Sequence, residues 1–432
     1  MKAKLQITIM LLLAVATNAF LYSQTKYSLN DCIESALRNN YDLLFQTYQK
    51  DYDAVLQKSA FGAYLPSLSG SAGYSRTITN QDSPYLNNYS MQLQANMLIY
   101  DGGKREANHD IADNSAKLTE LQTQYLAEQL KLSVYTQFVN IIRQQEIVKA
   151  RKEDIESSKI QLANMQARYE AGVIAVDMVL SQAAELGNKE IQLLYAEIDV
   201  NTSKQTLLTI MGQDPSADAE FADETIPSEI DDADVSAFRS NIGDLQNSIS
   251  LAFKNRIDYS SEQTAKHNAE LSKSAADGSY YPTLSASLNY GWSAYNFDDF
   301  SDNLGGSVGI SLNVPIFNNY NTDLQSQQYE LSYQRQNTAI LKLEQSIKAE
   351  VQTAYFNLQS SEKALQISET SLTAAAQNFE SNKEKVNTGI ATITDYITAN
   401  TQFITAQINK ITATYVYLNA RRNLLFTIGR YN

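Results

Sequence analysis

The sequence predicts an α+β membrane protein with an internal two-fold repeat, each chain supplying four transmembrane β-strands and two hairpins of very long helices. Three observations carry that expectation. The first is recurrence: Tyr64-Leu65-Pro66-Ser67-Leu68-Ser69 returns 216 positions later as Tyr280-Tyr281-Pro282-Thr283-Leu284-Ser285, and Ala36-Leu37-Arg38-Asn39 with Asp42 returns as Ala252-Phe253-Lys254-Asn255 with Asp258. After a one-residue slip the register holds at 217, matching Asn96 to Asn313, Ile99 to Ile316, Gly172 to Gly389 and Gly212 to Gly429. An interval this long marks a duplicated structural unit, since solenoid repeats are far shorter. The second is the absence of helix breakers: neither Gly nor Pro occurs from Lys104 to Ala171 or from Ile316 to Thr388. At the α-helical rise, either stretch as one helix reaches roughly 100 Å. The third is strict alternation of apolar and small polar residues in two short runs ahead of each long stretch.

Residues 1–23 read as a cleaved secretory signal: Lys2 and Lys4, an apolar run from Leu5 to about Phe20, then small and polar residues. Cleavage fits after Ser23 or after Ala19, with Ser23 favoured. The only cysteine, Cys32, lies well beyond either site and lacks the small residues that precede a lipidated cysteine, so the chain is expected not to be lipid-anchored and Cys32 to be a buried small hydrophobe.

The first repeat, 24–213, is expected to hold a helix, a β-hairpin over 65–100, a long helix over 103–170 and a return helix over 177–211. The second, 241–432, repeats the order with a helix, a hairpin over 282–316, a long helix over 319–387 and a return helix over 395–428. Within the second long stretch Ile340, Leu343, Ile347, Val351, Ala354, Leu358, Leu365, Leu372 and Phe379 step by three, four or seven, the spacing of knobs-into-holes packing. Between the repeats, 214–240 is an acidic, proline-containing connector that could pack as a belt.

In the hairpins Leu68, Gly70, Ala72 and Tyr74, then Tyr89, Met91, Leu93, Ala95, Met97 and Ile99, alternate with Ser, Gln, Asn and Gly. The second copy has Leu284, Ala286, Leu288, Tyr290 and Trp292, then Leu304, Gly306, Val308, Ile310, Leu312, Val314 and Ile316. Such runs suit strands with one face to lipid and one to a wet lumen. Tyrosines with Trp292, Phe297, Phe300 and Phe317 near the strand ends suit interfacial aromatic girdles. The polar turns Asn80-Gln81-Asp82-Ser83-Pro84 and Asp298-Asp299-Phe300-Ser301-Asp302 would then be extracellular loops. A soluble hairpin with one buried face produces the same alternation; the secretory signal and the lack of any partner sheet favour the membrane. Four strands cannot close a barrel, open edges are not tolerated in lipid, and bacterial barrels start at eight strands, so the strands must be shared with other copies of the chain.

The formal net charge is -14, and losing Lys2 and Lys4 makes it more negative, which argues against nucleic acid or anionic lipid as partner. Two histidines, His109 and His267, stand apart from other metal-ligating residues and are expected to be solvated helix residues, so no metal site and no cofactor is expected. No nucleophile–base pair or phosphate loop is present, and the chain is expected not to be an enzyme.

Each long helix is followed by a glycine turn: Arg168-Tyr169-Glu170-Ala171-Gly172-Val173-Ile174-Ala175-Val176-Asp177 in the first half, and Lys385-Val386-Asn387-Thr388-Gly389-Ile390-Ala391-Thr392-Ile393-Thr394-Asp395 in the second. The glycines suit the position just past a helix C-terminus, and Asp177 and Asp395 suit the N-cap of the return helix. Val173, Ile174, Ile390 and Ala391 are apolar residues at a turn, suited either to docking a partner or to packing inside the turn itself.

In the order and double occurrence of these features the chain resembles the TolC-like outer-membrane efflux proteins. The marks are the tandem duplication, Ala-Leu-x-x-Asn at 36–40, the Tyr-x-Pro-x-Leu strand entry and the Gly-x5-Asp turn from Gly389 to Asp395. The resemblance implies a homotrimer with a 12-stranded β-barrel in the outer membrane of a Gram-negative bacterium, continuous with a long periplasmic α-helical barrel. It implies partners in outer-membrane lipid, a periplasmic adaptor (membrane fusion) protein and an inner-membrane transporter. Its implied role is the passive exit duct of a tripartite efflux pump. The outer component of a type I secretion system shares that architecture, and a coiled-coil structural or adhesive surface protein is the alternative of another class. The resemblance places the periplasmic gate at the turns, with Arg168, Gly172, Asp177, Lys385, Gly389 and Asp395, and the adaptor at Val173, Ile174, Ile390 and Ala391. Asp395 matches a gate aspartate, either as part of an acidic ring or as a plain helix cap. The family's second acid three residues on is Thr398 here, and its basic residue two after the glycine is Ala391.

Overall fold

The computed structural model describes residues 25–78, 87–299 and 303–431. The signal segment 1–23, the turn 80–84, and Phe300, Ser301 and Asp302 lie outside the described residues. The strands are β1 (Thr25–Tyr27), β2 (Ser67–Arg76), β3 (Asn87–Tyr100), β4 (Ala219–Phe221), β5 (Thr283–Ala294) and β6 (Leu304–Asn313). The helices are α1 (Leu29–Asn39), α2 (Tyr41–Gly62), α3 (Lys104–Glu170), α4 (Val176–Ile210), α5 (Asp232–Ile242), α6 (Leu245–Asn255), α7 (Ile257–Asp277), α8 (Asn321–Asn387) and α9 (Ile393–Thr427). α3 and α8 are each 67 residues long, and the helices that follow them are each 35. Among the described residues no helix is long and apolar enough to cross a membrane.

The described residues form two compact units, and neither coincides with one sequence half: one takes 25–41, 127–248 and 351–431, the other the described parts of 42–126 and 249–350. Residues from both halves are therefore interleaved in each.

In the first unit the apolar stripe read from the sequence is the buried one: Val351, Ala354, Leu358 and Leu365 of α8 are all buried. The connector is not a bare loop. β4 pairs in parallel with β1, α5 follows it, and Ile226 and Ile230 pack on a core of Val139, Tyr415 and Leu418. Cys32 is fully buried, and burial, ahead of the nearby Asp31 and Asp223 charges, pushes its thiol up to about 12. Gly212 takes φ 67°, and a Cβ there would lie 2.2 Å from the Asn39 carbonyl, so glycine lets the end of α4 close onto the end of α1.

The second unit holds an antiparallel four-stranded sheet of order β2-β3-β5-β6. Each hairpin pairs with itself, and β3 joins β5 across the two halves of the sequence. Two details depart from the alternation read above. A register shift between Leu98 and Tyr100 takes Ile99 out of the β3–β5 ladder. β6 ends at Asn313, leaving Val314 and Ile316 beyond it, because Pro315 has no N–H to continue a ladder. Trp292 is not a girdle residue facing outward: it is 3% exposed, and its indole N–H donates to the Asp299 carbonyl at 2.9 Å. His109 is likewise half-buried rather than solvated, edge-on to Tyr64 at 5.8 Å.

Candidate functional site

Two regions carry the residues singled out by the sequence: the sheet and the helical turns. In the sheet, strand register sorts the side chains onto faces. Leu68 stands opposite Ala95, Gly70 opposite Leu93, Ala72 opposite Met91 and Tyr74 opposite Tyr89. The same parity continues through Leu93–Tyr290 and Ala95–Leu288, then through Leu288–Val308, Ala286–Ile310 and Leu284–Leu312. One face is thus apolar from edge to edge, apart from Arg76 and Asn87, which pair at the far end of the first hairpin. The other carries Ser67, Ser69 and Ser71, then Ser90, Gln92 and Gln94, then Ser285, Ser287 and Asn289, then Ser307 and Ser311, without a charge. Its amides and hydroxyls bond across strands, Gln92 Nε2 to Asn289 Oδ1 at 3.2 Å and Ser293 Oγ to Asn88 Oδ1 at 3.0 Å. β2 and β6 pair on one side only among the described residues, so both sheet edges are open.

The turns lie in the first unit. At the end of α3, Gly172 takes φ 73°, Val173 N–H donates to the Arg168 carbonyl at 2.9 Å and Gly172 N–H to the Tyr169 carbonyl at 2.9 Å. At the end of α8, Gly389 takes φ 77°, with Ile390 N–H on the Lys385 carbonyl at 2.8 Å and Gly389 N–H on the Val386 carbonyl at 3.1 Å. Both are Schellman caps with the glycine at the left-handed position expected for it. A Cβ on either glycine would meet nothing within 4 Å, so the requirement is conformational rather than steric.

The aspartates are not N-caps as the sequence suggested. In the first turn the N-cap is Ala175, which makes no side-chain cap bond, and Asp177 sits inside the first turn of α4. In the second the N-cap is Thr392, and Asp395 is the third helical residue. Thr392 Oγ1 accepts from Asp395 N–H at 3.2 Å, while Asp395 Oδ2 accepts from Thr392 N–H at 2.9 Å and from Thr392 Oγ1 at 2.7 Å. The reason is reach: an acid three residues into a helix can bend back to the N-cap amide, forming a capping box. The Thr392 hydroxyl first, its amide second, and the charge of Lys385 hold the Asp395 carboxyl below its ordinary 3.8.

The four apolar turn residues divide. Val173 and Ile390 are 64% and 78% exposed, whereas Ile174 and Ala391 pack on a core of Met165, Val386, Ile393 and Tyr396. For Ile174 and Ala391 the structure thus realises the packing arrangement. Arg168 and Lys385 hold equivalent positions at the two caps through their carbonyls.

The sequence profile of the family described as Outer membrane efflux protein matches residues 32–213 and 249–430. The chain belongs to this family. Among its relatives, Outer membrane protein TolC of Vibrio cholerae is 24% identical, over 84% of this chain and 82% of its own length. Outer membrane efflux protein BepC of Brucella suis is 20% identical, over 72% of this chain and 65% of its own. In fold, VceC of Vibrio cholerae matches with a TM-score of 0.80 at 17% identity, covering 93% of this chain and 96% of that one. The CmeC outer membrane channel of Campylobacter jejuni matches with a TM-score of 0.80 at 18% identity, covering 93% and 85%.

Sequence reasoning missed a buried polar seam in this outer membrane efflux protein. Lys189 Nζ on α4 meets Asp154 Oδ1 on α3 at 2.7 Å, with side chains 9% and 7% exposed, and Asn400 Nδ2 on α9 reaches the same oxygen at 2.9 Å. Gln182 Nε2 donates to Ser158 Oγ at 2.8 Å. The signal was present: Gln182, Lys189, Ala196 and Ser203 recur every seven residues, as seam positions do, although three of the four are polar. Thr392 was also missed, though Thr392-Ile393-Thr394-Asp395 has the spacing of a capping box.

Proposed function

We propose that the chain is one subunit of a trimeric exit duct in the outer membrane, conducting solutes passively from a periplasmic adaptor and inner-membrane transporter to the outside. The observation that carries this is the sheet: one face apolar across all four strands up to the Arg76–Asn87 pair at one end, one face neutral and polar, and both edges open. An apolar face suits hydrocarbon, a hydroxyl and amide face suits water, and open edges demand further strands. The strands alternate in direction, so β6 of one copy beside β2 of the next stays antiparallel, and three copies close head-to-tail into twelve strands. Membership of the efflux family supports the same localisation and role. The duplicated order of elements, read as a repeat, would place two equivalent strand pairs and two helical hairpins in each subunit. The duct has no catalytic part, its energy coming from the inner-membrane partner. Residues 1–23 act as the export signal.

The helical turns form the periplasmic end in this reading. Val173 and Ile390 are the docking contacts for the adaptor, with Ile174 and Ala391 supporting them from within. Asp395, while capping its helix, contributes a negative charge near the pore axis, as charged rings do in cation-favouring pores.

The mass and heat resistance of protein extracted by detergent from outer-membrane fractions test the assembly. A trimer that conducts in planar bilayers is expected; a soluble monomer or dimer sinks the barrel. Asp395→Asn trimers are expected to lose cation preference, and an unchanged reversal potential removes the acidic ring.

A further inference from the structure

α4 is inverted with respect to its own chain. Its buried stripe carries Gln182, Lys189 and Ser203, whereas Leu180, Ile191, Leu194 and Ile198 are 63%, 53%, 57% and 51% exposed. With Ala184 and Gly187 these exposed residues step by four and three, the spacing of a knobs-into-holes seam, so the stripe is shaped for a second long helix. The repeat shows what such a helix looks like. Moved 217 positions, Leu194 and Ile198 become Ile411 and Tyr415 of α9, which share a core with Tyr135, Val139 and Ile142 of α3, and Tyr415 is 2% exposed. The same stripe is covered in one half of the chain and bare in the other.

The order of the helices explains the difference. Asp154 of α3 bonds to both Lys189 of α4 and Asn400 of α9, and α9 meets α8 through the stacked rings of Phe403 and Phe379 at 5.3 Å. The row α4-α3-α9-α8 has two ends, α4 and α8. In the repeat α8 stands for α3 and α4 for α9, so the contact of α3 on α9 has a counterpart, α8 on α4, that the chain does not make with itself. The side chain for it stands ready: Phe356 of α8, the counterpart of Val139, is 50% exposed. The second unit has the same inversion. On α2, Phe45, Tyr48, Tyr52 and Val55 step by three and four and are 72%, 64%, 58% and 62% exposed, while Asp53 bonds to Thr119 and Gln57 to Asp113 of α3. On α7 the counterpart of Tyr52 is Asn268, which reaches Ser115 of α3 at 3.3 Å, and Glu262 of α7 bonds to Gln336 of α8. There too the row α2-α3-α7-α8 leaves the repeat of α3 and a bare apolar stripe at its opposite ends.

We propose that the aliphatic stripe of α4 is covered by α8 of a second copy of the chain, in the register that α3 keeps on α9, with Phe356 of one copy seated on Leu194 and Ile198 of the next. The inference rests on the trimeric reading and adds to it which helices of neighbouring copies meet and on which faces. A copy of this chain is the occupant because its α8 carries the counterparts of the residues that already cover the equivalent stripe. Two different faces make a heterologous contact, which closes into a ring rather than a two-fold dimer. The test combines Phe356→Cys and Ile198→Cys on one chain, treated with a short bis-maleimide in outer-membrane fractions and quenched before denaturation. Cys32 is buried and does not compete. A covalent ladder up to the trimer is expected from the double variant, and monomer alone from each single one. Where the first pair does not assemble, Ser371→Cys with Ala183→Cys reads the same register, since these residues are the counterparts of the bonded Asp154 and Asn400. A detergent-extracted trimer in which neither pair crosslinks overturns the seam, leaves the duct intact and assigns the stripe to another partner. A dimer from Ile198→Cys alone also overturns it, because α4 would then meet α4. A monomer in detergent overturns the duct and the seam together.

Discussion

The two helical hairpins follow the same backbone path and are held by different chemistry. In α3–α4 the seam is polar: Gln182 and Lys189 are buried against Ser158 and Asp154, and the return helix begins at Ala175 without a side-chain cap. In α8–α9 the residues 217 later are Ala399 and Ala406, both buried, and the return helix begins with the Thr392–Asp395 capping box. At these two positions the second hairpin has no polar side chain to desolvate, although its Asn400, next to Ala399, is buried and reaches Asp154 of α3. A buried ion pair adds little net stability but strongly disfavours any arrangement that separates its partners. One hairpin is thus secured in register by buried side-chain pairing, whereas the other has alanine at the matching positions and a side-chain cap at its turn.

The largest way to break this contrast is Asp154→Ala, which leaves the Lys189 ammonium buried without its carboxylate and should cost about 3–5 kcal/mol in denaturant unfolding. Asp154→Ser with Lys189→Ala copies Ser371 and Ala406 of the second hairpin and should recover most of that loss. If Asp154→Ala unfolds like the native chain, the pair does not secure the hairpin. Gly172→Ala and Gly389→Ala should each cost about 1–2 kcal/mol, and equally, since neither site has a steric neighbour and only the left-handed backbone is at stake. Unequal losses would mean the two turns differ in more than their caps. Thr392→Ala should cost about 1 kcal/mol, whereas Ala175→Thr should stabilise the first turn by less, because Met178 at its third helical position cannot bend back to the cap. Comparing the two melts checks the asymmetry.

The smallest effect is that of pH. Asp395 is depressed in the folded chain, so its contribution is complete above the unfolded value of 3.8 and disappears as pH falls through the lower folded value. Protection of the Thr392 and Asp395 amides, referred to intrinsic exchange at each pH, should therefore fall in acid, while that of Ala175 and Val176 does not change for this reason. Parallel behaviour at the two turns would remove the capping box as the cause.

Much of the fold was legible because its signals are local. Period-two alternation marked Leu68 to Tyr74 and Leu304 to Leu312 as strands, and the seven-residue spacing of Val351, Leu358 and Leu365 marked the buried stripe of α8. Gly172 and Gly389 were legible as C-terminal caps because only glycine takes that backbone cheaply. The candidate site was less legible. Asp177 and Asp395 both stand at the start of a return helix, yet only Asp395 caps: Asp177 is one residue closer to its glycine and falls at the second helical position behind Ala175, whereas Asp395 falls at the third behind Thr392. Ile174 and Ala391 looked as exposed as Val173 and Ile390 until the return helices rotated them onto Met165 and Tyr396.

By itself the sequence determined the lengths of the helices, the two faces of each strand and the recurrence at 216 and 217, because backbone sterics and side-chain periodicity act within a few residues. Only the tertiary structure decided that β3 would join β5, that Asp154 would find Lys189 and then Asn400, 246 positions away, and that Tyr415 would be buried where its counterpart Ile198 is exposed. Those pairings depend on where distant segments come to rest, and no local pattern specifies which buried charge will meet which.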